Sequence, residues 1–249
     1  MKLYRELAEY YFDIERSARD IRDDVKFILP LMGGRESPSL LDLGCGTGEH
    51  CALLAAEGFR CTGIDASEAM LAIARTRFPK RIVFINGDMS DIDFHESFDI
   101  IVCLFGSFNY LLDDAVIIST LSKVQRALRP DGIGVFEIWN TIPVISIREK
   151  DIDTVSTTTV GDIVICRERG FRLIRKTRGT LVEVLYRYRI DSPNGTKTLR
   201  DRHVMRTFTP DEIAGLLSIA GLTLKSLFSN FRSEPFRETS NKMVVVFSR

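Results

Sequence analysis

The sequence predicts an α/β protein: a parallel sheet with helices on both faces, interrupted once by an antiparallel β insert. Two observations carry that prediction. From about residue 39 to about residue 139, short apolar runs alternate with amphipathic segments, the pattern of successive βαβ units. From about residue 140 the apolar period changes to two, and it returns to a helical period only near residue 209.

The elements follow in order. Residues 3–29 carry Leu3, Leu7, Tyr11, Ile14, Ala18, Ile21, Val25 and Ile28 at helical spacing, which predicts a helix or helix pair ended by Pro30 and Gly33-Gly34. "SLLDLG" (39–44), "FRCTGID" (59–65), "RIVFING" (81–87), "FDIIVCLF" (98–105) and "IGVFEIW" (133–139) read as strands. Helices are expected at about 48–57, 67–77 and 113–129. In the insert, "LVEVLYRYRI" (181–190) alternates and "SPNG" (192–195) offers a turn, so three or four antiparallel strands are expected. "TPDEIAGLLSIAG" (209–221) then supplies a helix, with Thr209 as N-cap, Pro210 in the first turn and Glu212 closing a capping box. "LTLKSLFSN" and "KMVVVFS" (242–248) give a closing strand pair. Residues 1–140 and 207–249 thus form one expected domain, with 1–35 as a helical cover. Residues 141–206 form a β subdomain that serves as substrate lid or oligomerisation surface.

Composition narrows the function classes. Lys plus Arg and Asp plus Glu both number 34, so the net charge is zero, which argues against a broad nucleic-acid footprint and, with the motifs below, against DNA. No apolar run approaches the roughly 18 residues of a spanning helix. "MKLYRELAEYYFDIERSARD" is charged throughout, which is neither a signal peptide nor a membrane anchor. The five cysteines (Cys45, Cys51, Cys61, Cys103 and Cys166) include no C-x-x-C pair, which disfavours a disulfide framework or a zinc site and fits the cytoplasm. None of the three histidines has metal-ligand spacing, and no metal is expected.

The chemistry concentrates at "LLDLGCGTGEH" (40–50), where an apolar strand breaks into Gly44, Gly46 and Gly48 ahead of a helix. Such a loop allows close backbone approach to a ligand, and the helix start offers unpaired N–H groups. A dinucleotide site favours G-x-G-x-x-G; the spacing here is G-x-G-x-G. The second strand ends in Asp65, seventeen residues after Gly48, where a carboxylate is placed to accept both hydroxyls of a ribose, to cap the next helix, or both. The third ends in "NGDM", where Asp88 and the Met89 backbone are placed to read an adenine edge.

Loop, ribose acid and adenine acid in this order resemble the class I S-adenosylmethionine-dependent methyltransferases. The matching stretches are "LLDLGCGTGEH", "GIDASEAMLAIAR", "INGDM", "FDIIVCLFGSFNYL", "ALRPDGIGVFEIW" and "TFTPDEIAGLLSIAGL". The resemblance implies a Rossmann-like seven-stranded sheet whose last strand is antiparallel, S-adenosyl-L-methionine as cofactor and S-adenosyl-L-homocysteine as product. Carried onto this sequence, it implies Gly44, Gly46 and Gly48 around the methionine moiety and sugar, Asp65 on the ribose, and Ala66 and Met70 flanking the adenine. Asp88 and Met89 would read the adenine edge, and the backbone at Leu104 and Phe105 would face the amino group, with Asp42 supporting the loop or that ammonium. His50 is read as a helix-surface or cofactor-edge residue, and Tyr11 as the residue near the transferred methyl.

The acceptor is narrowed further. "FGSFNYL" is not the N/D-P-P-Y/F of methyltransferases acting on base or glutamine amines, and no Pro-Cys nucleophile of the cytosine-C5 type is present. "LAEYYFDI", "CLFGSFNYL" and a β insert before "RTFTPDEI" are similar to the branch of amino-sugar N,N-dimethyltransferases and glycine/sarcosine-type N-methyltransferases. Where the sugar enzymes carry a histidine, this chain has Tyr110. Aromatic faces attract a sulfonium or methylated ammonium, and Tyr10, Tyr11, Phe12, Phe105, Phe108, Tyr110 and Trp139 are candidates, each also a candidate for the core. The leading expectation is methyl transfer to a small-molecule acceptor, an amine that enters neutral, needs no dedicated base and is oriented by Tyr110, Glu137 or Tyr11. Arg200, Arg202, His203 and Arg206 in the insert are placed either to meet an anionic substrate group or to form a solvated strand face. RNA or protein methylation and cofactor binding without catalysis are the alternatives, and a homodimer through the β insert is a further expectation.

Overall fold

The computed structural model describes residues 1–16, 20–80, 82–145, 150–175 and 179–249; Arg81 and Ala18, which enter the expectations above, lie outside the described residues. The strands are β1 (Ser39–Leu43), β2 (Arg60–Asp65), β3 (Ile82–Asn86), β4 (Phe98–Cys103) and β5 (Leu128–Trp139), then β6 (Lys150–Val160), β7 (Ile163–Arg175), β8 (Thr180–Ser192) and β9 (Gly195–Thr207), and finally β10 (Thr223–Phe228) and β11 (Lys242–Ser248). The helices are α1 (Tyr11–Arg16), α2 (Arg22–Ile28), α3 (Glu49–Ala56), α4 (Glu68–Arg77), α5 (Asp114–Ala127), α6 (Thr141–Ile145) and α7 (Pro210–Ile219).

One sheet holds seven strands in the order β10-β11-β5-β4-β1-β2-β3. β1 to β5 run parallel, and β11, the last strand, is antiparallel to both β5 and β10. The central strands β1 and β4 are buried at every position, as a sheet covered on both faces requires. Side-chain alternation divides them. Leu41 and Ile101 pack with Ile117, Leu121 and Val124 of α5, while Leu40 and Ile100 pack on the opposite face with Val25 and Ile28 of α2 and Leu54 of α3. The capping box at α7 is present: Thr209 Oγ1 accepts the Glu212 N–H, and Glu212 accepts the Thr209 N–H at 2.7 Å.

Two expected boundaries differ from those observed. β5 begins at Leu128 rather than Ile133, because Leu128 already pairs with Phe98 and the intervening Pro130-Asp131-Gly132 bulges out before pairing resumes at Ile133. The turn-forming residues of that bulge, with Asp131 at φ +61°, hide the strand in the sequence. At the other end, residues 3–29 are broken into a 3₁₀ turn at Ala8–Tyr10, α1 and α2. Pro30 does not end the segment; it occupies the first turn of a second 3₁₀ turn, Leu29–Met32, where a missing N–H costs nothing, and Gly33 at φ +58° closes it.

The insert is a four-stranded antiparallel sheet in the order β6-β7-β8-β9. β8 and β9 form a hairpin around Pro193-Asn194, the predicted turn. Ile165, Tyr188 and Leu199 of this sheet pack on Leu3, Leu7 and Ile14, and Val182, Val184 and Met205 pack near Tyr110 and Trp139. The insert and the N-terminal segment therefore meet above the carboxyl end of the main sheet.

Candidate active site

Strand order reverses at β1, whose neighbours are β2 on one side and β4 on the other. Loops leaving β1 and β4 diverge there and open a crevice at the carboxyl edge. The crevice is a cleft of about 240 Å³. Of the expected site residues, Tyr11, Gly44, Gly46, Asp65, Ala66, Met70, Asp88, Met89, Phe105 and Tyr110 line it. Met1, Tyr4, Arg5 and Ser107, which the sequence reading did not single out, line it as well.

Gly44 has φ +80°, and a Cβ there would lie 2.7 Å from the Ser107 side chain. Only glycine brings the β1 loop that close to the turn after β4. Gly48 is different: it is not among the residues lining the cleft, and a Cβ on it would strike Phe84 and Ala74. Its missing Cβ serves the packing of the α3 start against β3 and α4.

Asp65 ties the loop together. Its Oδ2 accepts the Gly46 N–H at 2.9 Å and its Oδ1 the Ser67 N–H at 2.8 Å. Burial pushes its carboxyl above the usual range, and the two N–H bonds work against that shift. A carboxylate offers about four acceptor sites, so two remain for a diol. The N-cap of α4 is Ser67 itself, accepting from Met70 at 3.4 Å. Asp88 Oδ1 accepts the Ser90 N–H at 2.8 Å and so fixes the turn that carries Met89.

Asp42 and Leu104 lie deeper, in a small adjoining cavity that shares Tyr11, Gly44, Gly46 and Phe105 with the cleft. Burial raises the Asp42 carboxyl to about 6, and the Cys51 thiol, 3.6 Å away, donates to it. His50 lines the same cavity and is buried rather than on a helix surface; its Nε2 is 2.8 Å from Asp24 Oδ2. Glu137, expected to orient an acceptor, is not among the cleft residues. Its Oε2 accepts the Phe105 N–H at 2.8 Å and its Oε1 meets Lys242 Nζ at 2.7 Å. Phe105 has φ +53°, a costly conformation for a non-glycine residue, so Glu137 is placed as a holder of that loop.

The other side of the cleft is aromatic. Tyr110 Oη lies 2.8 Å from Tyr4 Oη and 2.5 Å from His203 Nδ1, and His203 Nε2 lies 3.0 Å from Asp201 Oδ2. Asp201 Oδ2 also accepts the Leu3 N–H at 2.9 Å. Burial opposes the Asp201 charge, but the bonds from His203 and Leu3 outweigh it and hold the carboxyl at about 2. Burial pushes the hydroxyls of Tyr4, Tyr11 and Tyr110 upward, so all three are protonated at neutral pH. Of the remaining aromatic candidates, Phe108 is core, Trp139 packs near Phe171, and Phe12 lines the small cavity and a separate outer pocket rather than the cleft. Arg202 and Arg206 pair with Glu183 and Asp114. Among the described residues, no group of three or more His, Cys, Asp or Glu is arranged to hold a metal, and the five cysteines are free.

Comparison with known proteins decides the family. A methyltransferase domain matches residues 40–132. A dTDP-4-amino-2,3,4,6-tetradeoxy-D-glucose N,N-dimethyltransferase of Saccharopolyspora spinosa is 30% identical over 197 residues, covering 77% of this chain and 74% of that protein. The chain belongs to the S-adenosylmethionine-dependent methyltransferases. A dTDP-3-amino-3,4,6-trideoxy-alpha-D-glucopyranose N,N-dimethyltransferase of Streptomyces venezuelae is 29% identical over 220 residues, 86% of each chain. Among solved structures, an S-adenosylmethionine-dependent methyltransferase from Clostridium acetobutylicum superposes with a TM-score of 0.82 at 18% identity, covering 98% of this chain and 97% of that one. An amino pentose methyltransferase from Micromonospora echinaspora, solved with S-adenosylmethionine bound, gives 0.73 at 22% identity, over 93% and 92% of the two chains. At those identities the likeness speaks to the fold, which is the methyltransferase sheet. The cofactor is S-adenosylmethionine. This methyltransferase's cleft fits it, with a loop whose approach a Cβ would block and a buried carboxylate holding spare acceptor sites. Among the described residues no helix is long and apolar enough to cross a membrane.

Proposed function

We propose that this methyltransferase alkylates the nitrogen of a small-molecule amine, with an amino sugar as the first substrate class to test. The observation that carries the reading is the two-sided cleft: glycine backbone, Asp65 and Asp88 on one side, and a buried tyrosine cluster on the other. When bound, S-adenosylmethionine supplies a methyl on a cationic sulfur. Gly44, Gly46, Asp65, Ala66, Met70, Asp88 and Met89 hold its nucleoside, while Asp42, Leu104 and Phe105 surround its amino-acid end. Tyr11, shared by both cavities, sits near the transferred methyl and Tyr110 orients the acceptor, their ring faces favouring positive charge. Alignment in a dry pocket supplies much of the rate. Glu137 acts indirectly, by fixing Phe105.

Residues 1–140 and 207–249 form the cofactor domain in this reading, with 1–35 and the 141–206 insert closing over the acceptor. The named activities of the Saccharopolyspora and Streptomyces relatives support the amino-sugar class. A methylase of RNA or protein would present a broad basic face, whereas Arg167, Arg187, Arg189, Arg202 and Arg206 are each engaged by an acid. We also assign the protein to the cytoplasm, on its free cysteines, and no role on DNA, on its zero net charge. Homodimerisation is assigned to the insert, where β6 is an edge strand, to be checked by light scattering. The activity test is S-adenosylhomocysteine release with nucleotide-linked amino sugars, free amino sugars, and glycine-like amines. Turnover by none of them, from protein that binds S-adenosylmethionine, overturns the reading in favour of a binding protein or another acceptor class.

A further inference from the structure

The hydrogen-bonded chain on the acceptor side has a direction that the simple picture of a neutral amine entering a dry pocket does not use. Asp201 is ionised at neutral pH and can only accept, so His203 Nε2 must carry the hydrogen between them. The Nδ1 of a neutral His203 is then an acceptor, and the Tyr110 hydroxyl must donate to it across 2.5 Å. Tyr110 has spent its only hydrogen, so the 2.8 Å contact with Tyr4 requires the Tyr4 hydroxyl to be the donor. Tyr4, a residue of the cleft wall, is left with an Oη that has only acceptor capacity. Every member points its hydrogen away from the cleft and towards Asp201. We propose that Tyr4, Tyr110 and His203 form a proton relay that takes a proton from a cationic acceptor amine in the cleft, with Asp201 as the group that sets its direction.

The inference rests on the amine reading above. The step is balanced as follows. The acceptor ammonium gives one proton to Tyr4 Oη as the Tyr4 proton passes to Tyr110 Oη and the Tyr110 proton to His203 Nδ1. The acceptor is left with the lone pair that takes the methyl, and His203 becomes an imidazolium beside the Asp201 carboxylate. Its proton returns to solvent by the same route after products leave. Because each tyrosine receives a proton as it gives one, no tyrosinate forms, and the raised tyrosine hydroxyls are no obstacle. The Tyr186 ring of β8 meets the His203 ring in a T-shaped contact at 5.0 Å, and the Tyr4 and Tyr110 rings lie tilted to it at 5.6 Å and 5.8 Å. Beyond them the charged groups are Glu15, which acts on Tyr110 and Tyr186, and Arg167 and Arg169 across Tyr186. Leu3 N–H on Asp201 locks the N-terminal segment to the same carboxylate, so the relay is assembled only when cover and insert are both in place.

The first readout needs no acceptor. The chain has three histidines, His50, His95 and His203, so ¹⁵N-histidine spectra of the protein saturated with S-adenosylhomocysteine are assignable by single substitutions. His203 is expected as the Nε2–H tautomer, and Tyr110→Phe is expected to move its Nδ1 resonance while His50 and His95 stay. The second readout is the pH profile with an amine that is turned over. Wild-type kcat/KM should fall tenfold per pH unit below the pH at which His203 is seen to protonate. His203→Gln should move that limb to the acceptor's own ammonium titration and lower kcat/KM at pH 7 by about 100-fold, with S-adenosylmethionine affinity within twofold. Tyr110→Phe, which keeps the ring, should do the same should the glutamine variant fold poorly. An Nδ1–H tautomer, or an acid limb that stays in place in both variants, overturns the relay and leaves methyl transfer to an amine standing. Failure of the wild type to methylate any amine would instead strike at the amine reading, while the spectra still decide the direction of the relay.

Discussion

The two walls of the cleft are built by different means. The cofactor wall is main chain: Gly44 and Gly46 at positive φ, the ends of β1 to β3, and carboxylates that hold backbone N–H groups. The acceptor wall is side chain: Tyr4 from the N-terminal segment, Tyr110 from the turn after β4, and His203 and Asp201 from β9, joined through hydrogen bonds and ring contacts. A wall of backbone is fixed by the sheet and tolerates little change. A wall of side chains drawn from three distant segments is easier to alter without disturbing the sheet, which suits a surface that selects the acceptor.

If that division is right, variants on one wall should move cofactor affinity and variants on the other should move turnover. The largest effect is expected from Gly44→Val. Its Cβ would lie 2.7 Å from Ser107 on a backbone at φ +80°, and a few kcal/mol of strain should weaken S-adenosylmethionine binding about 100-fold or more by calorimetry. Tyr110→Phe should lower kcat about 100-fold while leaving that affinity within twofold; a change confined to affinity would break the comparison. Glu137→Ala sharpens it, because Glu137 serves the cofactor wall from behind. Removing it takes one acceptor from the Phe105 N–H and one carboxylate partner from Lys242, and urea unfolding should show a loss of about 2 kcal/mol.

The smallest effect concerns pH. The buried Asp42 carboxyl is raised to about 6, above its unfolded value, so the folded state binds the extra proton between about pH 4 and pH 6. Stability therefore falls as pH rises through that window and stays lower above it. Asp42→Asn should raise the cofactor-free melting temperature at pH 7.5, by the equivalent of about 1 kcal/mol, and the gain should vanish near pH 4.

The cofactor wall was legible in the sequence because its requirements are local. A glycine at Gly44 and an acid at Asp65 fall at strand ends that hydrophobic periodicity already locates. Gly48 shows the limit: its spacing matches the loop, yet the packing of Phe84 and Ala74 by itself requires its missing Cβ. On the acceptor wall, Tyr110 was visible beside its strand. Tyr4 and Asp201 were not, because they lie 197 residues apart, are linked through Tyr110 and His203, and no spacing rule joins them. Glu137 was visible as an acid in a strand, but its bond to Phe105 depends on how β5 sits against the end of β4, which periodicity does not specify. The fold was read nearly whole, and its departures fall where turn-forming residues lie inside an element, at Pro30 and at Pro130-Asp131-Gly132.

The most direct test of the cofactor site is calorimetric titration of the purified protein with S-adenosylmethionine and S-adenosylhomocysteine, beside Asp65→Ala. The wild type should bind both, and the variant, lacking the carboxylate that holds Gly46 and Ser67, should bind neither measurably while keeping the wild-type circular dichroism spectrum. Equal binding by a folded Asp65→Ala, or no binding by the wild type, would contradict the account.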